Sequence, residues 1–488
     1  MQNFNLIESP WIPVRWRSAS DHESPPLVSL KEAFSRSSEI ADLDCAPHER
    51  IALTRLLVCI THAALGAPED EDEWEGFGDT LAEDIPAYLQ RDEIYPHFNL
   101  LGDGPRFLQS KVEKSAPLVP TSKLFPELST NNNPTLLDHY GKYKSRDFSN
   151  ADIALALLTF QNFYPPFKTG QPQGPCSKNS PLHTILLGKN LAKSILLNSL
   201  SLDIINEVYG KIGKPIWEEA APPKDLSSFL TGLVPIHRKL WIKNAQDGFY
   251  HITADGGFKY PTYNDGFLIP SVSVVINKKG ERYLLKAKIE KAIWRDLQTL
   301  SNIRQITTEI GFSSEAPLTL LAHEDSIKAK EARIWCGTLI TNESKIEIQC
   351  ESTYSIDHNI LTAEGQHIYA SGIDYCEKIS VNLASSVKVY WQKITDPDPK
   401  KPAPGKGKAE RHYWHSLDQE HRKLIQLASK PKDRIGKPKI GTPEAKDSWT
   451  TTVQKAALDA FDAVCPRNTP RELQAYAAGL RKLKLTIN

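Results

Sequence analysis

Fourteen histidines and seven cysteines are the side chains of this chain best suited to nucleophilic or metal chemistry. Their spacing offers neither. The histidines are dispersed, and none sits at ligand spacing from carboxylates; "EHR" and "HYWH" read as surface or helix-packing residues. The cysteines, at 45, 59, 176, 336, 350, 376 and 465, contain no CxxC pair. That argues against a zinc ribbon or a disulfide framework and for reduced thiols in a cytoplasm. HExxH, GxSxG, GxGxxG and GxxxxGK[ST] are all absent. A nuclease needs several acidic ligands converging on a divalent metal, and a convergence of distant residues stays open at this level. No cofactor is expected.

Residues suited to contact are easier to find. "FYPPFKTGQPQGPCSKNSP", Phe163–Pro181, carries Pro165, Pro166, Gly170, Pro172, Gly174 and Pro175 between Lys168 and Lys178. Prolines fix φ and glycines permit φ > 0, so this is a shaped turn. A glycine also lets backbone approach another molecule with no Cβ in the way. An ordinary surface connection is the alternative. "DGGFKYPTYNDG", Asp255–Gly266, sets Lys259 between Phe258 and Tyr260 in a hairpin-like segment, where a lysine also serves solubility. Lys328 and Lys330 alternate in "KAK". Asn131, Asn132 and Asn133 precede Pro134 in a polar stretch, either a contact loop or an Asx-capped surface loop.

The elements that must hold these residues follow from periodicity. Apolar residues from Ile153 to Phe160 predict a buried helix opening near Asn150, and those from Leu182 to Leu197 predict a second. Ile51, Leu53, Leu56, Leu57, Ile60 and Ala64 predict a helix over Glu49–Leu65. Another starts in Val28–Phe34. The segment from Phe4 to Val14 predicts a short edge strand broken by Pro10 and Pro13, Glu69–Glu75 a solvated acidic loop, and His97–Gln109 two short strands about a Gly-Asp-Gly turn. From Leu226 to Glu290 the period shifts toward two, with strands such as "KLWIKN" and "GFYHIT" and a turn at Lys278–Glu281. Ile289–Ile310 returns to helix. After Thr362 the chain reads as wholly helical, with segments Ser371–Ile394, Ala409–Ala428, Ser448–Cys465 and Pro470–Leu485. Two Lys/Pro/Gly-rich connections interrupt them and read as mobile basic arms. The predicted class is α+β: a large mixed N-terminal domain, residues 1–360, followed by a C-terminal four-helix bundle, residues 361–488.

At 488 residues, with 40% apolar and 24% charged side chains, the chain is long enough for two or three domains with sizeable cores. No apolar run approaches the roughly 18 residues that span a membrane, and no signal peptide is visible. Net charge is zero but segregated: residues 361–488 hold 22 Lys+Arg against 14 Asp+Glu, the remainder 37 against 45. A basic region on a neutral whole points to one face meeting phosphates.

Several segments, in order over nearly the full length, carry a family resemblance: "NLIESPWIPVR" at the start, "LLVCITHAAL" at Leu56–Leu65, "GPRFLQ" at Gly104–Gln109, "TNNNPTLLDH" at Thr130–His139, "SILLNSL" at Ser194–Leu200, "PIWE" at Pro215–Glu218 and "AERHYWHSLD" at Ala409–Asp418. The chain resembles the large subunit of the type I-E CRISPR surveillance complex Cascade, the CasA family. The resemblance implies a non-catalytic, cytoplasmic subunit that recognises the protospacer-adjacent motif (PAM) in double-stranded DNA and promotes unwinding and R-loop formation. It implies guide crRNA, other Cascade subunits and a helicase–nuclease effector as partners, with base pairing reading the sequence and protein reading a short motif. The family's loop glycine falls on Gly170 and its lysine finger on Lys259. Its wedge, often glutamine, is best matched by Lys328, and a lysine would grip phosphate rather than prop strands apart. Minor-groove readout of this kind is degenerate. Asn131–Asn133 resemble the loop that reaches the guide RNA and neighbouring subunits. Asn244–Tyr250 lacks the cysteine cluster of some members, so no zinc is expected. A stand-alone metal-dependent nuclease and a protein–protein scaffold without DNA contact are the alternatives.

Overall fold

The computed structural model describes residues 4–18, 25–112, 118–125, 128, 147–163, 176, 181–219, 228–244, 250–255, 268–288, 291–302, 313–324, 332–342, 345–395, 403–429 and 448–487. The chain is a mixture of helix and strand in two compact units. The first comprises Met1–Ile293, Glu315–Ile327 and Ala332–Ser355; the second comprises Trp294–Ser314, Lys328–Glu331 and Ile356–Asn488.

The first unit opens with β1 (Ile12–Trp16), β2 (Leu27–Val28), α1 (Leu30–Ser35), β3 (Ile40–Leu43) and α2 (Pro47–Leu65). The strand expected at an edge is central: β1 lies between β2 and β3. Pro13 lacks an N–H but keeps its carbonyl, which accepts from the Asp44 N–H at 3.0 Å, and Val14 donates to Pro26 at 3.0 Å. A proline therefore removes one ladder bond without forcing the strand to the rim. The acidic run is also not a loop. It opens α3 (Glu71–Leu89), where the Asp70 carboxylate caps the Glu73 N–H at 2.9 Å. Acidic side chains suit the exposed N–H groups and positive dipole end of a helix.

The two strands expected in His97–Gln109 are absent; a single turn, Tyr95–Phe98, leads into irregular chain. Side chains supply the bonds a partner strand would have made. Gln109 donates to the Leu100 carbonyl at 2.8 Å and accepts from the Ile242 N–H at 2.9 Å. After β4 (Leu118–Pro120) comes α4 (Asn150–Phe163), as periodicity predicted. The run after Pro181 is not one helix. It divides into β5 (His183–Leu187) and α5 (Leu191–Leu197), with Asn190 capping the Lys193 N–H at 2.9 Å.

Along the chain then follow α6 (Leu202–Tyr209), α7 (Phe229–Leu233), β6 (Lys239–Asn244), β7 (Tyr250–Asp255), β8 (Val274–Ile276), β9 (Arg282–Leu284), α8 (Leu297–Leu300, in the second unit), β10 (Ser313–Glu315), α9 (Leu318–Ala322), β11 (Ala332–Asn342) and β12 (Lys345–Ile356). The helix expected over Ile289–Ile310 is reduced to a turn at Ile293–Asp296 and α8, among the described residues. The long hairpin β11–β12 was not among the expected elements. The main core packs α2, α4 and α7 with the first sheet, and Leu53, Leu57, Ile60, Leu157 and Leu158 are fully buried.

In the second unit the helix Ala363–Ile394 packs against Lys406–Glu420, Arg422–Ala428, Ser448–Asp462 and Pro470–Ile487. The helical segments predicted after Thr362 are present, with a break at His421. Buried aromatic hydroxyls tie these helices to their neighbours: Tyr369 Oη donates to the Trp294 carbonyl at 2.7 Å and Tyr413 Oη to that of Cys376 at 3.0 Å. A Cβ at Gly479 would lie 2.9 Å from the Ser386 carbonyl, so Pro470–Ile487 approaches the long helix as closely as it does because that residue is glycine.

Candidate nucleic-acid interface

Gly170, Lys259, Lys328 and Asn131–Asn133 all lie outside the described residues, as do most of the two basic connections of the helical unit. The structure does describe the elements from which these stretches leave and to which they return.

Residues 164–175 leave α4 at Phe163. The next described residue, Cys176, donates its N–H to the Asn162 carbonyl at 3.0 Å. Its side chain is buried with Ile51, Phe163, Ile185, Trp335 and Leu339. Asn162 is itself held by the buried Arg55, whose Nε donates to Asn162 Oδ1 and to the Leu233 carbonyl, both at 3.0 Å. Arg55 Nη2 donates to the Gly232 carbonyl at 2.6 Å. Both carbonyls belong to the last turn of α7, the negative end of a short helix. Departure and return of this stretch are thus closed by one backbone bond, and the closure is tied to a buried guanidinium.

Phe163 also packs edge-on to His48, with ring centroids 6.3 Å apart, and against His183 at 6.1 Å. His183 Nδ1 is 2.9 Å from Ser271 Oγ. Burial holds both imidazoles neutral: His48 is pushed down to about 4, and His183 to about 3 by burial and then by the Arg55 charge.

The stretch bearing Lys259 leaves β7 at Asp255 and resumes at Leu268, whose carbonyl accepts from Tyr209 Oη at 2.8 Å. Three residues on, the Ser271 carbonyl accepts the Thr184 N–H at 2.7 Å, and Val272 bridges His183. The stretch bearing Lys328 resumes at β11, which pairs antiparallel with β5 from Arg333 opposite Leu187 to Gly337 opposite His183. β5 is therefore a shared root. It follows the first stretch, neighbours the return of the second and pairs with the strand that follows the third. The first and third roots sit at opposite ends of β5, four residues and so about 13 Å apart at roughly 3.3 Å per residue.

A second sheet, ordered β4–β7–β6, roots two of the same stretches. Beyond β4, Phe125 stacks on Phe148 at 4.2 Å, flanking the segment with the three asparagines. Beyond β7 lies the Lys259 stretch. The sheet has two unlike faces. Leu240, Ile242 and Ile252 point into the core and are fully buried. On the other face β6 presents Lys239, Trp241 and Lys243, with both lysines exposed. Arg106 stacks on the Trp241 ring at 3.9 Å from its centroid, and the Lys111 ammonium lies 6.0 Å from it. Arg106 is fixed by donating to the Ile242 carbonyl at 2.8 Å and to that of Gly102. The period-two pattern of "KLWIKN" predicts a strand but by itself names no site on it. The Lys-x-Trp-x-Lys alternation was the available signal.

Among the described residues no group of three or more His, Cys, Asp or Glu side chains is placed to hold a metal ion. All seven cysteines are free thiols, with Cys59, Cys176, Cys336, Cys376 and Cys465 buried. Burial pushes the Cys336 and Cys465 thiols up to about 12, away from the thiolate form a nucleophile needs. No helix among the described residues is long and apolar enough to cross a membrane.

The family model for CRISPR-associated protein Cse1 matches residues 5–460. The chain belongs to the Cse1 family. One curated Cse1 relative, CRISPR-associated protein CasA/Cse1 of Thermus thermophilus, is 25% identical over 509 aligned positions, covering 95% of this chain and 92% of the relative. The solved Thermus thermophilus CasA (Cse1) superposes with a TM-score of 0.77 at 21% identity, over 100% of this chain and 99% of its own. Thermobifida fusca Cse1 gives 0.75 at 19% identity, over 99% and 98%. A chain of a structure described as a CRISPR RNA-guided surveillance complex gives 0.75 at 18% identity, over 100% of both. At these identities the solved structures show that the Cse1 fold extends over the whole chain.

Proposed function

We propose that this Cse1-family chain is a non-catalytic subunit of an RNA-guided surveillance complex that recognises the PAM in duplex DNA, promotes unwinding and R-loop formation, and licenses a helicase–nuclease. Its partners are then guide crRNA, the other subunits, target DNA and that effector, in the cytoplasm. Family membership supports the assembly, since a structural relative belongs to such a complex. The observation that carries the reading to a site is the shared root at β5: the stretches bearing Gly170, Lys259 and Lys328 all begin or end on elements that neighbour this one strand. In this reading residues 1–360 carry the contact loops and residues 361–488 a helical bundle with basic connections. Gly170 offers backbone to a base edge, Lys259 donates to the N3 and O2 acceptors of the minor groove, and Lys328 grips phosphate. Asn131–Asn133 meet guide RNA or a neighbouring subunit.

The test is motif-dependent duplex capture by the assembled complex. Lys259→Ala and Gly170→Asp are each expected to lower affinity for motif-bearing duplex at least tenfold, about 1.4 kcal/mol, with assembly intact. Capture equal to wild type by both variants would remove these residues from the site. Plasmid cleavage by the chain alone with Mg²⁺ would instead favour a nuclease.

A further inference from the structure

We infer that a cavity beside the segment Arg106–Ser110 is a pocket for one unpaired guanine base, read by the Glu219 carboxylate and the Ser110 hydroxyl. The pocket's role rests on the reading above only in requiring that the chain meet single-stranded nucleic acid. The cavity has a volume of about 170 Å³. That is well under the roughly 300 Å³ at which clefts begin to take drug-sized molecules, so it suits a single ring system. Two distant segments line it, Pro105–Ser110 and Ile216–Glu219, together with His97. Its aromatic walls are already committed. Phe98 packs on both Phe107 and Trp217, with ring centroids at 5.7 and 5.3 Å. The Trp217 indole donates to Tyr88 Oη at 2.8 Å, and that hydroxyl donates to Glu218. Gln109 is bonded at both ends of its amide. Three half-buried side chains are left, His97, Ser110 and Glu219, and none of them makes a side-chain hydrogen bond to a described residue.

The backbone is strained where it forms the wall. Leu108 has a φ of +49°, a left-handed conformation that leucine rarely takes, and Gln161 Nε2 donates to its carbonyl at 3.0 Å. Such strain persists only where the surroundings impose it, and it gathers at binding sites. The pattern of donors and acceptors selects the ligand. A carboxylate accepts two parallel N–H groups. Guanine alone among the bases presents two adjacent donors, N1–H and the N2 amine, on its Watson–Crick edge. Its O6 and N7 are acceptors, which suit the Ser110 hydroxyl. A peptide arginine offers the same two donors, but the Arg106 guanidinium lines the cavity and opposes a second cation, whereas guanine is neutral. Burial lowers the His97 imidazole below its usual range, so it stays neutral near pH 7. In a duplex cytosine takes the two donors, so the pocket takes an unpaired base, the state in which RNA is read by sequence.

The test uses the full chain and fluorescein-labelled RNA hexamers of uridine with one central guanosine, adenosine or inosine. Wild type is expected to bind the guanosine hexamer at least tenfold more tightly than the adenosine one. Inosine lacks the N2 amine and should fall between them. Glu219→Gln keeps the side chain's shape and removes its charge. It should lose the guanosine preference, bind the adenosine hexamer as wild type does and melt at the same temperature. GMP should compete in either case: at concentrations like the hexamer's if the natural ligand is a nucleotide, and only in large excess if it is a strand. Equal binding of the guanosine and adenosine hexamers overturns the inference, as does a preference that survives Glu219→Gln. So does tighter binding of an arginine-bearing hexapeptide than of any hexamer, lost in Glu219→Gln, which would assign the cavity to a partner protein. Gly170→Asp and Lys259→Ala should leave the guanosine preference unchanged, so the pocket and the proposed duplex contacts can each fail alone.

Discussion

The sheet around β5 and the sheet β4–β7–β6 each have three principal strands and each roots stretches proposed to touch nucleic acid, yet they handle charge in opposite ways. Around β5 the residues His183 to Leu186 are all buried, and the neighbouring cation, Arg55, is inside the protein. It is met by two backbone carbonyls and one amide oxygen, with no carboxylate bonded to it among the described residues. On the outer face of β6, Lys239 and Lys243 are exposed, where they lose little hydration. A buried charge must be satisfied by geometry fixed in the fold, whereas an exposed one costs the fold almost nothing. The first sheet sets where chain ends leave and return; the second presents a surface.

The sharpest way to break this contrast is Arg55→Met. It leaves Asn162 Oδ1 and the Gly232 and Leu233 carbonyls without their donor in a buried site. A loss of about 3–5 kcal/mol from the first unit is expected in denaturant unfolding. A loss below about 1 kcal/mol would mean that the guanidinium is not what closes this site.

The next effect is acid sensitivity. His183 is held down to about 3 and His48 to about 4 in the fold, against 6.5 for the free imidazole. Between those values the unfolded chain binds protons that the folded chain refuses, so stability falls as pH drops through about 6.5 and the loss stops growing only below the folded values. Near pH 4.5 each group costs on the order of 2–3 kcal/mol. His183→Asn should flatten the denaturant midpoint against pH between 6.5 and 4.5, and an unaltered profile would show that this imidazole titrates freely.

The smallest effect belongs to the exposed sheet. Trp241→Ala removes the ring on which Arg106 and Lys111 gather, at a cost of about 1 kcal/mol in thermal unfolding. A cost as large as that of Arg55→Met would mean the outer face is structural after all.

Much of this architecture could be read from residue order. The helices α2 and α4 and those after Thr362 followed from apolar periodicity, because each buries one stripe or a whole surface over several turns. The strand character of "KLWIKN" and "GFYHIT" followed likewise from period two. One misreading falls where a short apolar run fits either element. "LHTILL" looked helical because its continuation, Leu191–Leu197, is. Asn190 capping α5 separates the two, and pairing with β11 makes the first half a strand. The acidic run before Trp74 was assigned to water because no apolar stripe is visible until Leu81, Ile85, Tyr88 and Leu89 join it.

The sequence by itself determined the alternation that gives β6 one wet and one buried face, the helical end of the chain, the charge segregation and the ordered segments that mark the family. These are local or additive properties, set by periods of 2 and 3.6 residues and by composition. Tertiary structure alone decided that β1 is central despite Pro13, that Arg55 ties Asn162 to the last turn of α7, and that Arg106 and Lys111 meet Trp241 from more than a hundred residues away. Such encounters depend on which distant segments pair once water is expelled, and no periodicity within a single segment names its partner.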